Sequence, residues 1–145
     1  MKTSEQPVSD ADYGRSLRGL GLNLLVKDVT RAVKFATDVL GATAFYDNAD
    51  FAAMKLNGAD FMFHADHTYH SNPLSGVVKN ADARGLGVEL RVYGSDPDIA
   101  EQKARAGGWT VLAGALDKPH GLRECMIIDD EGYVWMPSVH LPKEN

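Results

Sequence analysis

Residues 20–42 read LGLNLLVKDVTRAVKFATDVLGA, and the order of elements in this stretch can be used to interpret the rest of the chain. Large aliphatic side chains recur at every second position of residues 22–26, a period that predicts a β-strand with one apolar face. Asp28 then suits a helix N-cap, and apolar residues follow at helical spacing until Gly41, a residue typical of helix ends. The stretch therefore predicts a strand followed directly by an amphipathic helix.

Three short strands are predicted after this helix, and a polar segment separates them from the second half of the chain. The strands lie near residues 43–47, 51–56 and 60–65, with turn-forming dipeptides between them. Residues 66–84 are rich in Ser, Asn, Asp and Gly and lack periodicity, so we expect a linker loop or lid, since long loops within domains are often functional. Residues 1–17 are polar and are expected to form a flexible tail.

The glycines that precede the first strand and end its helix recur later in the chain at the same spacing. They are Gly21, Gly41, Gly87 and Gly107. Gly21 and Gly87 are as far apart in the sequence as Gly41 and Gly107. The start of the strand and the end of the helix therefore both recur at the same spacing. This regularity indicates an internal duplication. We therefore expect an α+β protein with a first βαβββ module at residues 18–65 and a second at residues 85–141.

Composition excludes several classes of function. The 145 residues carry a formal net charge of −5 at pH 7, so no basic surface is available for nucleic acid. No apolar run approaches the ~20 residues that a membrane-spanning helix needs. Cys125 is the single cysteine, so no intramolecular disulfide can form and a reducing, cytoplasmic location is expected. Cys125 lies in an apolar run and is expected to be a buried, inert thiol.

Packing each helix on the apolar face of its strands leaves the opposite strand faces free. Strand alternation predicts a set of side chains on those faces. They are Asn23, Met62, His64, Glu89, Arg91 and Met136. A mostly apolar hollow with few polar groups is typical of ligand sites. We therefore predict a ligand-binding cavity between the two modules.

Several of the polar residues have both a chemical and a structural interpretation. His64 and Glu89 could form an acid–base pair, because a histidine beside a carboxylate can act as a general base, or they could make a structural hydrogen bond. Arg91 would suit a carboxylate or phosphate of a ligand, or it could pair with Glu89 on the same strand. His120 and Glu124 could line the mouth of the cleft and bind ligand, or belong to an ordinary loop and strand edge.

Two motifs in this order of elements resemble a known superfamily. Residues 24–29 read Leu-x-Val-x-Asp-Val, and the following helix ends in Val-Leu-Gly-Ala at residues 39–42. Residues 129–135, Asp-Asp-Glu-Gly-Tyr-Val-Trp, are similar to the final turn and last strand of the same proteins. Together with the duplication, the chain from residue 18 to residue 141 resembles the glyoxalase/bleomycin resistance protein/dioxygenase superfamily, also called the vicinal oxygen chelate superfamily.

The resemblance implies two βαβββ modules that form a curved mixed sheet around a cavity, with the helices outside, and a homodimer. The superfamily includes glyoxalase I, extradiol dioxygenases, fosfomycin-resistance enzymes and metal-free bleomycin-binding proteins. It therefore implies either a protein that binds a small organic molecule or a glyoxalase-like lyase, isomerase or dioxygenase. Whether this chain is an enzyme stays open at this point.

The resemblance also gives the four positions at which metal enzymes of this superfamily bind their ion. In this chain they are occupied by Gly21, Met62, Gly87 and Met136. Divalent metals in such sites need nitrogen or oxygen donors. We therefore expect no cofactor at the usual positions and predict binding of a small molecule without that metal site.

A metal site at other residues is the alternative hypothesis. His64, His67 and His70 are spaced three residues apart, and Glu89 or Glu124 could complete a ligand set. The same spacing is also found in loops that are rich in surface histidines. A relocated metal, or acid–base chemistry by His64 and Glu89, would give the lyase, isomerase or dioxygenase activity.

Overall fold

Each half of the chain folds as a strand, a helix and three strands, which confirms the predicted α+β class and the two βαβββ modules. The computed structural model describes residues 6–144. The first module contains β1 (Leu22–Val26), α2 (Val29–Leu40), β2 (Thr43–Asp47), β3 (Phe51–Leu56) and β4 (Ala59–Ala65). The second module contains β5 (Glu89–Tyr93), α4 (Pro97–Ala106), β6 (Thr110–Asp117), β7 (Leu122–Ile128) and β8 (Val134–His140).

The strands form two four-stranded mixed sheets with the same topology. Their orders are β1-β4-β3-β2 and β5-β8-β7-β6, with β1 parallel to β4 and β5 parallel to β8. The remaining pairs are antiparallel. Within residues 6–144 the two sheets are not hydrogen-bonded to each other, and β1 and β5 are both edge strands. The predicted mixed sheet is thus built as two four-stranded sheets, one from each module, that are not closed.

The helix α2 forms where the sequence predicts it, and its caps explain both ends. The Asp28 carboxylate accepts a hydrogen bond from the backbone N–H of Arg31, and Gly41 ends the helix with a φ of 76°. The apolar face of α2 is buried against the first sheet, where Phe61 and Phe63 are also buried. The polar face of β4 is therefore turned away from the helix, as the alternation predicted.

One hydrophobic core is shared by both modules. Phe35 of α2 packs edge-on against Trp109, with ring centroids 5.3 Å apart. Phe61 of the first sheet lies 5.7 Å from Trp135 of the second. These contacts between aromatic rings join the first module to the second. They hold the two sheets in one relative orientation.

Two segments outside the modules contain more regular structure than the sequence led us to expect. The predicted tail, whose residues 1–5 lie outside the described residues, contains the helix α1 (Asp10–Ser16), capped by the Ser9 hydroxyl. The predicted linker contains a 3₁₀ turn (Asp66–Tyr69) and the helix α3 (Pro73–Val78). None of the helices in residues 6–144 combines the length and apolar character that a membrane span requires.

Candidate functional site

Three predicted site residues lie together on the outer face of the first sheet. Met62 and His64 alternate along β4 with the buried Phe61 and Phe63, and Asn23 lies beside them on the parallel strand β1. The register pairs Asn23 with Met62, so the polar and thioether side chains share one face of the sheet. Strand alternation predicted the face on which each of these side chains lies, and the pairing of β1 with β4 brings them together.

A chain of hydrogen bonds fixes the orientation of the His64 ring. The Asn23 amide nitrogen donates to the Tyr69 hydroxyl at 2.5 Å, so its oxygen is free to accept from Nδ1–H of His64 at 2.6 Å. Burial lowers the pKa of His64, so its ring is neutral near pH 7. With the proton on Nδ1, the Nε2 atom has its lone pair available and makes no hydrogen bond within residues 6–144.

A pocket of about 500 Å³ lies over this face of the first sheet. The helix α1 forms one wall of the pocket, and the strands of the first sheet form its floor. Most of its side chains are aromatic or apolar. They include Tyr13, Tyr46, Phe51, Met62 and His64. Phe51 and His64 are in ring contact, with centroids 4.7 Å apart, so the imidazole is part of an aromatic surface.

The other predicted polar residues form a separate cluster on the second sheet. Arg91 donates to Glu89 at 3.0 Å and forms a short ion pair with the buried Glu124, and the His120 ring lies 3.3 Å from Glu124. Burial acts to raise the pKa of Glu124, but the hydrogen bonds from Arg91 and His120 outweigh it, so this pKa is lowered. Met136 is buried in β8, in register with Arg91.

The structure does not bring His64 and Glu89 together. His64 is bonded to Asn23 in the first module, whereas Glu89 is bonded to Arg91 in the second. The described hydrogen bonds of residues 6–144 include none between the two side chains. The physical reason is that β1 and β5 are edges of different sheets, so matching strand faces in the two modules do not have to face each other.

Comparison with solved structures identifies the fold. A glyoxalase-related enzyme from Fulvimarina pelagi superposes with a TM-score of 0.65 at 17% identity, covering 85% of this chain and 88% of that chain. A glyoxalase/bleomycin resistance protein/dioxygenase from Nocardioides gives a TM-score of 0.62 at 23% identity, covering 94% and 95%. TioX from Micromonospora sp. ML1 gives 0.60 at 21% identity, covering 88% and 100%. The chain has the vicinal oxygen chelate fold. No family model and no curated protein matches its sequence.

The residues at the four positions that the resemblance assigns to the metal do not fit a divalent ion. Gly21 directly precedes β1, and Gly87 lies just before β5. Neither glycine has a side chain that could donate to a metal. Met62 and Met136 offer only soft thioether sulfur, which hard and borderline divalent ions bind poorly. This donor set lacks the nitrogen and oxygen ligands that such an ion needs.

The three histidines of the alternative metal hypothesis have different partners. His64 bonds to Asn23, the His67 ring lies 2.7 Å from the Asp50 carboxylate, and the His70 ring bonds to the backbone carbonyl of His67. Within residues 6–144, no three His, Cys, Asp or Glu side chains are grouped closely enough to hold a metal ion.

The sequence interpretation missed two tyrosines of the candidate site. Tyr69, in the predicted linker, holds Asn23 in place. Tyr13, in the predicted tail, lies against Phe51 with ring centroids 6.0 Å apart. The signal for α1 was present, because Ser9 followed by acidic residues is typical of a helix start. Which strand face such a helix covers is not encoded locally.

Proposed function

We propose that this protein binds a small, flat organic molecule in the first-module pocket, without a metal at the four usual positions of the fold. The observation that carries this proposal is the aromatic pocket of about 500 Å³ in which His64 keeps one ring nitrogen free to accept a hydrogen bond. Ligand sites are typically concave and mostly apolar, with few oriented polar groups. The pocket lies on the first sheet, so the proposed ligand needs no cavity between the modules.

Binding rather than acid–base catalysis is supported by the partners of His64. Its Nδ1–H bonds to the neutral amide of Asn23, whereas a strong general base would need a carboxylate there to stabilise the imidazolium. The carboxylate predicted for this role, Glu89, is bonded to Arg91. A neutral and rigidly oriented imidazole suits recognition of a donor group on a ligand.

A thermal-shift screen tests this proposal, because a compound that binds only the folded state raises the melting temperature. The library contains flat aromatic compounds, glutathione conjugates and small diacids. We expect aromatic compounds to stabilise the wild type and to lose most of that effect in His64→Ala. His140→Ala, which removes an exposed histidine at the end of β8, is the matched control and should respond like the wild type.

Two results would contradict the proposal. One is a screen in which no compound stabilises the wild type, and the other is stabilisation that persists unchanged in His64→Ala. Elemental analysis of the purified protein tests the metal-free part of the proposal. Stoichiometric divalent metal that is lost in His64→Ala would overturn that part.

We also propose that the protein is a cytoplasmic homodimer, as the resemblance and the single cysteine suggested. The buried free thiol of Cys125 is consistent with a reducing compartment. The second module exposes several large apolar side chains that a second copy could cover. They are Leu86, Val88, Leu112 and Leu116. Sedimentation velocity should give the mass of a dimer for the wild type and of a monomer for Leu112→Glu, and a monomeric wild type would refute the pairing.

A further inference from the structure

Asn48, in the turn between β2 and β3, orients the hydroxyl of Tyr46. The side-chain oxygen of Asn48 accepts hydrogen bonds from the backbone N–H groups of Asp50 at 2.8 Å and of Phe51 at 3.0 Å. These bonds determine which end of the amide is the NH2 group, and that group donates to the Tyr46 hydroxyl at 2.8 Å. The Tyr46 oxygen is therefore an acceptor towards Asn48, and its own hydrogen points elsewhere.

The Tyr46 hydroxyl lies at the surface of the first-module pocket. Tyr46 lines the pocket and is partly exposed, and Asn48 beside it is exposed. The hydroxyl donates no hydrogen bond to any group of residues 6–144. Its hydrogen is therefore available to an acceptor atom on a bound ligand.

Three aromatic rings lie side by side on one face of the first sheet. Phe51 of β3 is in register with His64 of β4, and their ring centroids are 4.7 Å apart. Tyr46 of β2 lies on the other side of Phe51, with ring centroids 6.3 Å apart. The pocket therefore has a donor, the Tyr46 hydroxyl, and an acceptor, Nε2 of His64, on either side of an apolar ring.

The charges around the pocket disfavour an anionic ligand. Among the described residues that line it, Asp10 is the only charged one, and its carboxylate would repel an anion. Burial lowers the pKa of His64, so this ring supplies no positive charge near pH 7. An anion that entered the pocket would therefore lose hydration without gaining a cation in exchange.

We propose that Tyr46 is a specificity-determining residue of this pocket and that the ligand is an uncharged, flat aromatic compound with an acceptor on one edge and a donor on the opposite edge. A carbonyl or similar acceptor would bind the Tyr46 hydroxyl, and a hydroxyl or N–H group would bind His64. The ring of the compound would pack on Phe51 between them. This inference rests on the proposed function above and adds the class of molecule that the pocket recognises.

The test uses three naphthalene probes that differ only in their substituents. The probe 6-acetyl-2-naphthol carries both the acceptor and the donor, 2-naphthol lacks the acceptor, and 2-acetyl-6-methoxynaphthalene lacks the donor. Each is titrated at pH 7 by calorimetry into the full-length wild type and into Tyr46→Phe and His64→Phe, which keep an aromatic ring and remove its polar group. Tyr93→Phe, which removes an exposed tyrosine hydroxyl on β5, is the matched control.

We expect Tyr46→Phe to weaken the binding of both acetyl probes about 3- to 10-fold, which is the net contribution of one hydrogen bond, and to leave 2-naphthol unchanged. His64→Phe should weaken 6-acetyl-2-naphthol and 2-naphthol by a similar factor and leave the methoxy probe unchanged. Tyr93→Phe should bind all three probes like the wild type.

Asn48→Asp tests the direction of the Tyr46 hydroxyl separately from its presence. The variant keeps one oxygen for the backbone N–H groups of Asp50 and Phe51, but its second oxygen replaces the NH2 group and accepts the Tyr46 hydrogen. Asn48→Asp should therefore weaken both acetyl probes as much as Tyr46→Phe does, and the double variant should weaken them no further. Unchanged binding of 2-naphthol would exclude a general effect of the added charge.

Each failure refutes a different statement. If Tyr46→Phe or Asn48→Asp binds the acetyl probes as tightly as the wild type, or weakens all three probes equally, the role of Tyr46 is refuted while the proposed function stands. If compounds of the thermal-shift library depend on His64 but 6-acetyl-2-naphthol does not bind the wild type, the ligand class is wrong. If no compound of that library depends on His64, the proposed function itself fails.

Discussion

His64 shows how neighbouring groups set the protonation state of a single side chain. The ring is packed between Phe51 and Tyr69, and its Nδ1–H is bonded to Asn23. None of these neighbours carries a charge that would stabilise the imidazolium. Burial therefore dominates and lowers the pKa. This neutrality leaves Nε2 of His64 able to accept a hydrogen bond, as the proposed function requires.

The lowered pKa predicts a direction for stability as a function of pH. Between the pKa of folded His64 and the value of 6.5 in the unfolded chain, the unfolded state binds more protons. The free energy of unfolding should therefore fall as the pH falls through this window, and His64→Phe should remove that part of the slope. An NMR titration of the His64 ring should give a midpoint below 6.5, and a midpoint at or above 6.5 would contradict the interpretation.

The turn between β7 and β8 shows how an element boundary depends on the absence of a side chain. Gly132 has a φ of 93°, which L-residues rarely adopt. A Cβ atom there would lie 2.7 Å from the Ala83 Cα and 2.9 Å from the Arg84 nitrogen, both of which are backbone atoms. The turn therefore lets the end of the linker pass directly over the start of β8.

A matched pair of substitutions separates backbone strain from this steric clash. Gly58, in the turn between β3 and β4, has a similar φ of 84°, but a Cβ atom added there would meet no described atom within 4 Å. Gly58→Ala should therefore cost about 1–2 kcal/mol, which is the strain of the left-handed conformation alone. Gly132→Ala should cost clearly more, as measured by urea unfolding. Equal losses in the two variants would show that the linker moves aside without cost.

Arg84 connects the parts of the whole molecule through a buried network of polar contacts. Its side chain is only 2% exposed and donates two hydrogen bonds of 2.6 Å to Asp66, so it pairs one end of the linker with the other. It also donates to the Leu25 carbonyl of the first module and lies 3.6 Å from Glu131 of the second. The linker is thereby closed into a loop that is anchored on both modules.

Removing one partner of a buried ion pair leaves the other charges uncompensated. We therefore expect Arg84→Met to lower the free energy of unfolding by about 3 kcal/mol, since Asp66 and Glu131 would lose their cation. Lys34→Met, which removes an exposed helical pair with Asp38, is the control and should cost less than about 0.5 kcal/mol. Chemical denaturation measures both values. A loss in Arg84→Met no larger than in the control would show that the network does not stabilise the fold.

Much of the fold could be predicted because it depends on contacts that are close in sequence. The alternation in β1 and β4 turned Asn23, Met62 and His64 away from the helix, and the structure has all three on that face. The Asp28 cap and the Gly41 stop bounded α2 correctly. The pairing of Asp66 with Arg84 could not be predicted, because it closes a loop whose own residues show no periodic pattern.

The sequence by itself determined the two βαβββ modules and the direction in which each strand side chain points relative to its own helix, because periodicity and capping act within a few residues. Only the tertiary structure decided that the polar residues form two clusters and that α1 covers the first. The position of one sheet relative to the other depends on contacts between distant residues, such as Phe61 with Trp135. No local pattern encodes such contacts, so strand alternation alone could not place the two polar clusters relative to each other.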